Sequence, residues 1–246
     1  MHVLIATPTT SGTVMAAYAQ TLIAATQAIS EKGGSYRLLT VDGADVVVAR
    51  NALAHQVLAE AECTHILFID SDMAVDSVAL RHLLSLDAPF AGTAYTERHM
   101  DLQRLTNAMA EEPDMARARA LASNFALRME PGKKKVSNQM VELDAVGFGC
   151  VLIRRTVFEA LIEQKIVSPF TSTTLRMAGL KGDIWDFFGQ IEQTGGDRLS
   201  EDYSFCHRVR QLGTVPVIAY VGPGVGHVGP FMYGAPYIER LKAGKT

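Results

Sequence analysis

The sequence of 246 residues predicts a single α/β domain, built on a mainly parallel sheet with helices on its faces. Over residues 1–94, short apolar runs alternate with segments of helical apolar spacing, and such alternation implies right-handed crossovers between parallel strands. Two carboxylates also follow one of these apolar runs directly. Open α/β sheets bind ligands beyond the carboxyl ends of their strands, so a site is expected there.

The elements of residues 1–94 follow from apolar spacing and from turn residues. Strands are expected at 3–6, 36–41, 65–69 and 88–94, where short apolar runs occur. Helical spacing runs from Val14 to Ile29 and from Val47 to Ala61, and Asp76 can cap a third, shorter helix. Strands and helices therefore alternate throughout this half of the chain.

Residues 95–140 interrupt this order. They are polar and rich in Glu, Arg and Met, which predicts an inserted helical and hairpin segment that turns at Pro131-Gly132. The lysines at 133–135 are interpreted as a solvated turn, with a phosphate contact as the alternative. Regular patterning returns at residue 141, with a helix capped by Ser200 and a last strand at 215–221.

Composition excludes several classes of protein. The 23 basic and 26 acidic residues leave a net charge of −3, which excludes binding to nucleic acid or to an anionic membrane by charge alone. No apolar run reaches the roughly 18 residues of a membrane span. The three cysteines form no CxxC pair, and no basic segment precedes the first apolar run, so a cytoplasmic protein with reduced thiols is expected.

The carboxylate pair is Asp70-Ser71-Asp72, directly after the apolar run Ile66 to Ile69. Hard oxygen ligands at the end of a buried strand suit Mg²⁺ or Mn²⁺, and such an ion would in turn hold a diphosphate. A polar turn with a helix cap is the alternative, because Asp is common in both roles. A helix cap accounts well for Asp76. It accounts less well for Asp70 and Asp72, which directly follow the four apolar residues 66–69.

Five segments between residues 49 and 229 occur in the order found in one enzyme family. They are Ala49-Arg50-Asn51, the strand with Asp70-Ser71-Asp72, the run from Asp144 to Arg155, the segment Leu199 to Cys206, and Val225 to Gly229. In these segments the chain resembles the GT-A glycosyltransferases, in particular the inverting family 2 enzymes and their bacterial and phage relatives. The resemblance implies a GT-A, Rossmann-like fold. Residues 1–94 would be its nucleotide-binding half, 95–140 an insertion and 141–246 the acceptor-side half.

The resemblance also implies a metal site. Asp72 would coordinate Mn²⁺ or Mg²⁺, while Asp70 would contact the donor ribose or reach the ion through water. His227, which lies between glycines in a loop, would be a further ligand. A histidine that merely forms a hydrogen bond is the alternative. The ion would neutralise a diphosphate leaving group.

The segment with Glu201 and Asp202 resembles the family's xED motif. By that resemblance Asp202 is the general base of an inverting transfer, and Glu201 is a supporting contact or the alternative base. The alternative for both acids is structural. Carboxylates in the first turn of a helix capped by Ser200 are stabilised by the helix dipole without any catalytic role.

Further residues are assigned to the substrates by resemblance or by chemistry. Arg50 and Asn51 would lie near the donor nucleotide, and Asp42 would bind its base or ribose unless it is only a turn residue. Glycines at Gly147 and Gly149 would allow the backbone to approach the donor sugar. Trp185 would stack on an acceptor sugar, with core packing as the alternative.

The function implied is metal-dependent transfer of a sugar from a UDP- or GDP-sugar to an acceptor hydroxyl, with inversion. The acceptor would be a glycan, a lipid-linked sugar, a protein or a modified nucleic acid. The alternatives are a non-catalytic module that binds nucleotide sugars or glycans, and a nucleotidyltransferase of similar fold. A dinucleotide oxidoreductase is excluded, because the first strand turns through Ala6-Thr7-Pro8-Thr9 without the glycines of GxGxxG.

Overall fold

The structure is a computed structural model that describes residues 1–130, 135–137, 139–170, 180, 182–229 and 232–244. The turn expected at Pro131-Gly132, with Lys133 and Lys134, lies outside the described residues.

The described part of the chain forms strands along its whole length. They are β1 (His2–Thr9), β2 (Ser35–Asp42), β3 (His65–Ile69), β4 (Met73–Val75), β5 (Phe90–Thr93), β6 (Thr96–Met100), β7 (Ser123–Phe125), β8 (Leu127–Arg128), β9 (Lys135–Ser137), β10 (Met140–Leu143), β11 (Ala145–Val146), β12 (Cys150–Arg154), β13 (Pro169–Phe170), β14 (Ile184–Trp185), β15 (Val217–Tyr220), β16 (Val225–Val228) and β17 (Met232–Tyr233).

The described helices are α1 (Ala16–Glu31), α2 (Val46–Ala59), α3 (Ser77–Ser85), α4 (Leu102–Glu111), α5 (Met115–Ala122), α6 (Arg155–Glu163), α7 (Glu201–Gln211) and α8 (Tyr237–Lys242). Aspartates begin several of them. Asp45 accepts a hydrogen bond from the backbone N–H of Val47, and Asp76 accepts one from Ala79, which confirms the cap predicted for α3.

The central sheet is mixed, with the strand order β2-β1-β3-β12-β5-β15-β10-β9. In the described part of the chain, six of its eight strands run in one direction, and β12 and β10 run in the other. The predicted alternation over residues 1–94 is confirmed, as is a sheet flanked by helices. The sequence did not indicate that β12 would lie antiparallel between β3 and β5, because this pairing joins residues more than fifty positions apart.

The two faces of the sheet carry separate apolar cores, because side chains alternate along each strand. Leu4 and Phe68 belong to the core that α2, α6 and α7 cover. Ile5, the residue after Leu4, and Leu67, the residue before Phe68, belong to the core that α1 and α3 cover. The first core includes a cluster of buried rings with centroids 4.8–6.2 Å apart, formed by Phe68, Phe90, Phe148, Phe158, Phe187, Phe188 and Phe205.

The segment 95–140 has the predicted helices in α4 and α5 and a hairpin in β9 and β10. Its first strand, β6, pairs with β7 and packs against β16 and β17. A small sheet, β17-β16-β4, continues from the end of β3 and aligns His227 with Met73. These pairings bring the insertion and the loop after β15 to the same edge of the central sheet. Among the described helices, none is long and apolar enough to cross a membrane.

Arg155 ties the end of α2 to the start of α6. Its guanidinium donates to the carbonyl oxygens of Val57, Leu58 and Glu60 at 2.7–3.2 Å, and these carbonyls lie where α2 ends. We expect Arg155→Met to lower the free energy of unfolding by about 2 kcal/mol, because charged hydrogen bonds to partly buried carbonyls are lost. Urea denaturation measures this difference.

The matched control is Arg81→Met. Arg81 pairs with Glu31 on the surface, where both side chains are about half exposed. No measurable change is expected there, because solvent already screens such a pair. Equal losses in the two variants would contradict a capping role for Arg155.

Candidate functional site

The site lies where β3 leaves the central sheet. The backbone N–H of Asp70 still bonds to the carbonyl of Gly149, and a tight turn then closes from Met73 to Asp70 at 3.1 Å. Asp70 and Asp72 therefore stand on the turn between β3 and β4. This is the carboxyl edge of the parallel strands, where a ligand site was expected.

Arg50 on α2 connects this turn to the start of α7. Its Nη2 lies 3.1 Å from both carboxylate oxygens of Asp70, and its Nη1 lies 2.5 Å from Oε1 of Glu201. The guanidinium is 5.2 Å from the ring centroid of Phe148. Only 4% of the Arg50 side chain is exposed, and the two carboxylates replace the hydration of its Nη atoms, while its buried Nε finds no hydrogen-bond partner among the described residues.

Burial governs the electrostatics of this cluster. It raises the pKa of Asp70 and of Glu201, while the neighbouring guanidinium of Arg50 opposes the rise. Burial works to lower the pKa of Arg50, but Asp70, Glu201 and Asp202 outweigh it, and the pKa of Arg50 is raised overall. Arg50 is therefore a permanent cation between two acids from opposite halves of the chain.

Asp72 belongs to a second group, which includes the half-exposed side chain of Arg98. Its Oδ2 lies 3.2 Å from Nε2 of His227 and 3.0 Å from Nη1 of Arg98. The other ring nitrogen of His227 lies 3.2 Å from the carbonyl oxygen of Thr96, which fixes the ring. Burial works to raise the pKa of Asp72, but the bond to His227 and the charge of Arg98 outweigh it, so the pKa is lowered.

The chemistry of this group fits a divalent ion. The 3.2 Å between Asp72 Oδ2 and His227 Nε2 is about the separation of two adjacent ligands that each lie roughly 2.1 Å from one ion. A carboxylate with an imidazole suits Mn²⁺ better than Mg²⁺, which prefers oxygen ligands. Within the described residues, no group of three His, Cys, Asp or Glu side chains forms a complete metal site. Asp70, a predicted ligand, faces Arg50.

Asp202 stands in the first turn of α7, beside Glu201. Its Oδ1 accepts hydrogen bonds from the hydroxyl of Ser200 and from the backbone N–H of Tyr203. Ser200 is the residue before the helix, as predicted, but its hydroxyl bonds to this carboxylate and forms no side-chain cap. Charge interactions couple Asp202 to Asp70 and Arg50.

A groove runs past Tyr203, the residue after Asp202. It consists of two cavities of about 290 Å³ and 390 Å³ that share Arg128, Met129 and Tyr203 in their walls. The guanidinium of Arg128 stacks 5.1 Å from the Tyr203 ring centroid. Glu97 and Arg128 come from the segment 95–140, so the insertion forms part of this groove. A larger cavity of about 610 Å³, between α1 and β16, is lined mainly by Ala, Gly and Pro.

Two predicted donor residues form bonds within the protein. Asp42 accepts from the Gly12 N–H at 2.6 Å and from the Thr9 hydroxyl at 3.1 Å, which holds the loop after β1. Asn51 is buried and binds Asp186 and the backbone of Phe188, which anchors the aromatic segment to α2.

The other predicted residues lie around the aromatic core and Tyr95. Trp185 is partly buried against the phenylalanine core. Gly147 and Gly149 lie under the Tyr95 ring, and a Cβ on Gly149 would come within 2.7 Å of that ring. These glycines therefore permit close approach of Tyr95.

Sequence reasoning missed Tyr95 and Arg98. Tyr95 is buried, and its ring lies edge-on to His227 with centroids 5.3 Å apart. Burial, with the charges of Asp70 and Asp202, raises its pKa well above the ordinary range. Both residues lie at the start of a segment without apolar periodicity, so no sequence pattern connected them to Asp72.

Comparisons with known proteins give only distant likenesses. No protein-family model matches the chain, and no curated protein matches it. A197 from STIV, a viral protein, is similar in structure with 13% identity and a TM-score of 0.47, over 93% of this chain and 86% of that one.

The galactosyltransferase LgtC, solved with donor and acceptor sugar analogs, is 14% identical with a TM-score of 0.25 over 74% of this chain and 67% of that one. An active-site mutant of LgtC gives the same values. At these scores the likenesses transfer no residue role to this chain.

The buried ion-pair network gives a test of stability. We expect Arg50→Met to lower the free energy of unfolding by about 3–5 kcal/mol, because Asp70 and Glu201 would lose their partner and would have to stay unpaired or take up a proton. Adding Glu201→Gln to this variant should recover part of the loss, since it removes one unpaired charge. Urea denaturation of the single and double variants measures both effects; strictly additive losses would contradict the network.

Proposed function

We propose that the protein is a metal-dependent glycosyltransferase that moves a sugar from a nucleotide diphosphate donor to an acceptor hydroxyl with inversion. One observation carries the proposal. The buried guanidinium of Arg50 connects two segments that are distant in the sequence, the Asp70-Ser71-Asp72 turn and the start of the helix at Glu201-Asp202. Asp70 and Glu201 are 131 positions apart. A site for a charged leaving group and a site for a base would then stand side by side.

The balance of charge supports a divalent ion and a diphosphate. Four carboxylates face two guanidiniums, Arg50 and Arg98, so two negative charges remain before His227 is counted. A dication offsets such an excess and then attracts an anionic donor. Asp72 and His227 are the residues that would hold the ion, and the ion would supply positive charge to the departing diphosphate.

Asp202 is the proposed general base. It would remove the proton from the acceptor hydroxyl as that oxygen attacks the anomeric carbon opposite the diphosphate. The groove beside Tyr203 is the proposed acceptor site, because it begins at the residue next to this carboxylate. Glu201 would act by holding Arg50, since its carboxylate is already bound to that guanidinium.

One observation favours a second candidate, a module that binds nucleotide sugars without catalysis. The two hydrogen bonds that Asp202 accepts, from Ser200 and from the Tyr203 N–H, are those of a residue that stabilises a helix start. Such a module would use the same donor site and would not need a base. Turnover of Asp202 variants separates the two candidates.

The metal dependence is tested by donor binding. In calorimetry with UDP and GDP, we expect weak binding in EDTA and at least about tenfold tighter binding with Mn²⁺. In Asp72→Asn, the affinity for UDP and GDP should no longer increase when Mn²⁺ is added, because the ion would lose its carboxylate ligand. The matched control is Asp87→Asn, an exposed carboxylate on another part of the surface that should behave as wild type. Equal affinity with and without Mn²⁺ would contradict the proposal.

The base is tested by turnover. Against a panel of nucleotide sugars with Mn²⁺, we expect Asp202→Asn to reduce turnover by roughly 10²–10⁴-fold while donor affinity stays nearly constant. Glu201→Gln is the matched control, and it should lower stability through Arg50 more than it lowers turnover. Proton NMR of the product should show an inverted anomeric centre. Retention of configuration would exclude Asp202 as this base.

A further inference from the structure

Arg98 is the one exposed cation of the Asp72 group. Half of its side chain, 51%, is exposed on β6, whereas the Arg50 side chain is 4% exposed and bound on two sides. It forms an ion pair with Asp72 at 3.0 Å. Exposed ion pairs are weak and exchange their partners easily, so Arg98 can leave Asp72 at low cost.

The position of Arg98 conflicts with an ion on Asp72. Nη1 of Arg98 and Nε2 of His227 both approach Oδ2 of Asp72, at 3.0 Å and 3.2 Å. A dication bound to the same oxygen would lie within a few ångströms of the guanidinium and repel it. The histidine would keep its place because Thr96 holds its other nitrogen, whereas the half-exposed arginine would be free to move away.

The backbone keeps Arg98 close to the site after this exchange. Thr96, two residues earlier on β6, is buried and contacts His227 through its carbonyl oxygen. A guanidinium on this strand can therefore move only over the length of its own side chain. Within that reach, the donor diphosphate is the anion that the proposed function brings to Asp72, and a guanidinium fork matches phosphate oxygens.

We propose that Arg98 is a phosphate-binding residue that exchanges partners, bound to Asp72 when the site is empty and to the donor diphosphate when an ion occupies Asp72. This inference rests on the proposed function and adds a residue to it. In the absence of an ion, the positive charge of Arg98 would offset the negative charge of Asp72. Removal of Arg98 should then have opposite effects on the ion and on the diphosphate, which removal of a purely structural arginine would not have.

The test uses Arg98→Met, with Arg104→Met as the matched control on α4. Arg104 also lies in the insertion, where it binds Asn124 and the carbonyl of Leu121. The first measurement is the binding of Mn²⁺ alone, monitored by the loss of the free Mn²⁺ signal in electron paramagnetic resonance. We expect Arg98→Met to bind Mn²⁺ roughly two- to fivefold more tightly than the wild-type protein does. Calorimetry in saturating Mn²⁺ should show UDP or GDP binding about 10- to 100-fold weaker.

The outcomes separate this proposal from the proposed function. If the wild-type protein binds neither UDP nor GDP in the presence of Mn²⁺, the proposed function is wrong. The proposed contact between Arg98 and the donor diphosphate is then wrong as well. If wild type binds one of them and Arg98→Met binds it equally well, the assignment of Arg98 alone is overturned. Arg98→Lys, which keeps the charge without the fork, should recover part of the diphosphate affinity. Equal thermal unfolding of the variants excludes misfolding as the cause.

Discussion

The arrangement of the site depends on one buried guanidinium. Arg50 has exchanged its hydration for the carboxylates of Asp70 and Glu201 and for the face of Phe148. A buried charge is costly unless its partners are in place, so the folded chain is most stable when the end of β3 and the start of α7 come together. The stability of the fold and the geometry of the site are therefore set by the same contact.

This contact divides the four acids by role. Asp70 and Glu201 bind Arg50, and each stands within two residues of a second acid, Asp72 or Asp202, whose bonds go to other groups. An Asp-x-Asp or Glu-Asp pair is often interpreted as two equivalent ligands or two candidate bases. Here the hydrogen bonds give the two members of each pair different partners.

Local patterns predicted the first half of the fold, and long-range pairing determined what the patterns missed. Apart from β4, the strands and helices up to Thr93 and the Asp76 cap follow from apolar spacing and turn chemistry, which act over a few residues. The approach of His227 to Asp72 depends on β16 pairing with β4, and no local signal marks β4. Tyr95 and Arg98 reach the site through β6, whose sequence carries no apolar alternation. A motif also does not reveal distant hydrogen-bond partners. Asn51, which was assigned by motif alone, binds Asp186 and the backbone of Phe188.

The hydrogen bonds of Asp202 do not force a choice between a structural and a chemical role. Both bonds use Oδ1, from the Ser200 hydroxyl and the Tyr203 N–H, and they fix the carboxylate plane at the helix start. A base works best when its orientation is set before the substrate arrives, because the entropy of positioning is then already lost. The same bonds that stabilise α7 would therefore also hold the carboxylate in place if Asp202 acts as the proposed base. A helix-start acid next to an empty groove is what either role requires, so only the effect of its removal on turnover distinguishes them.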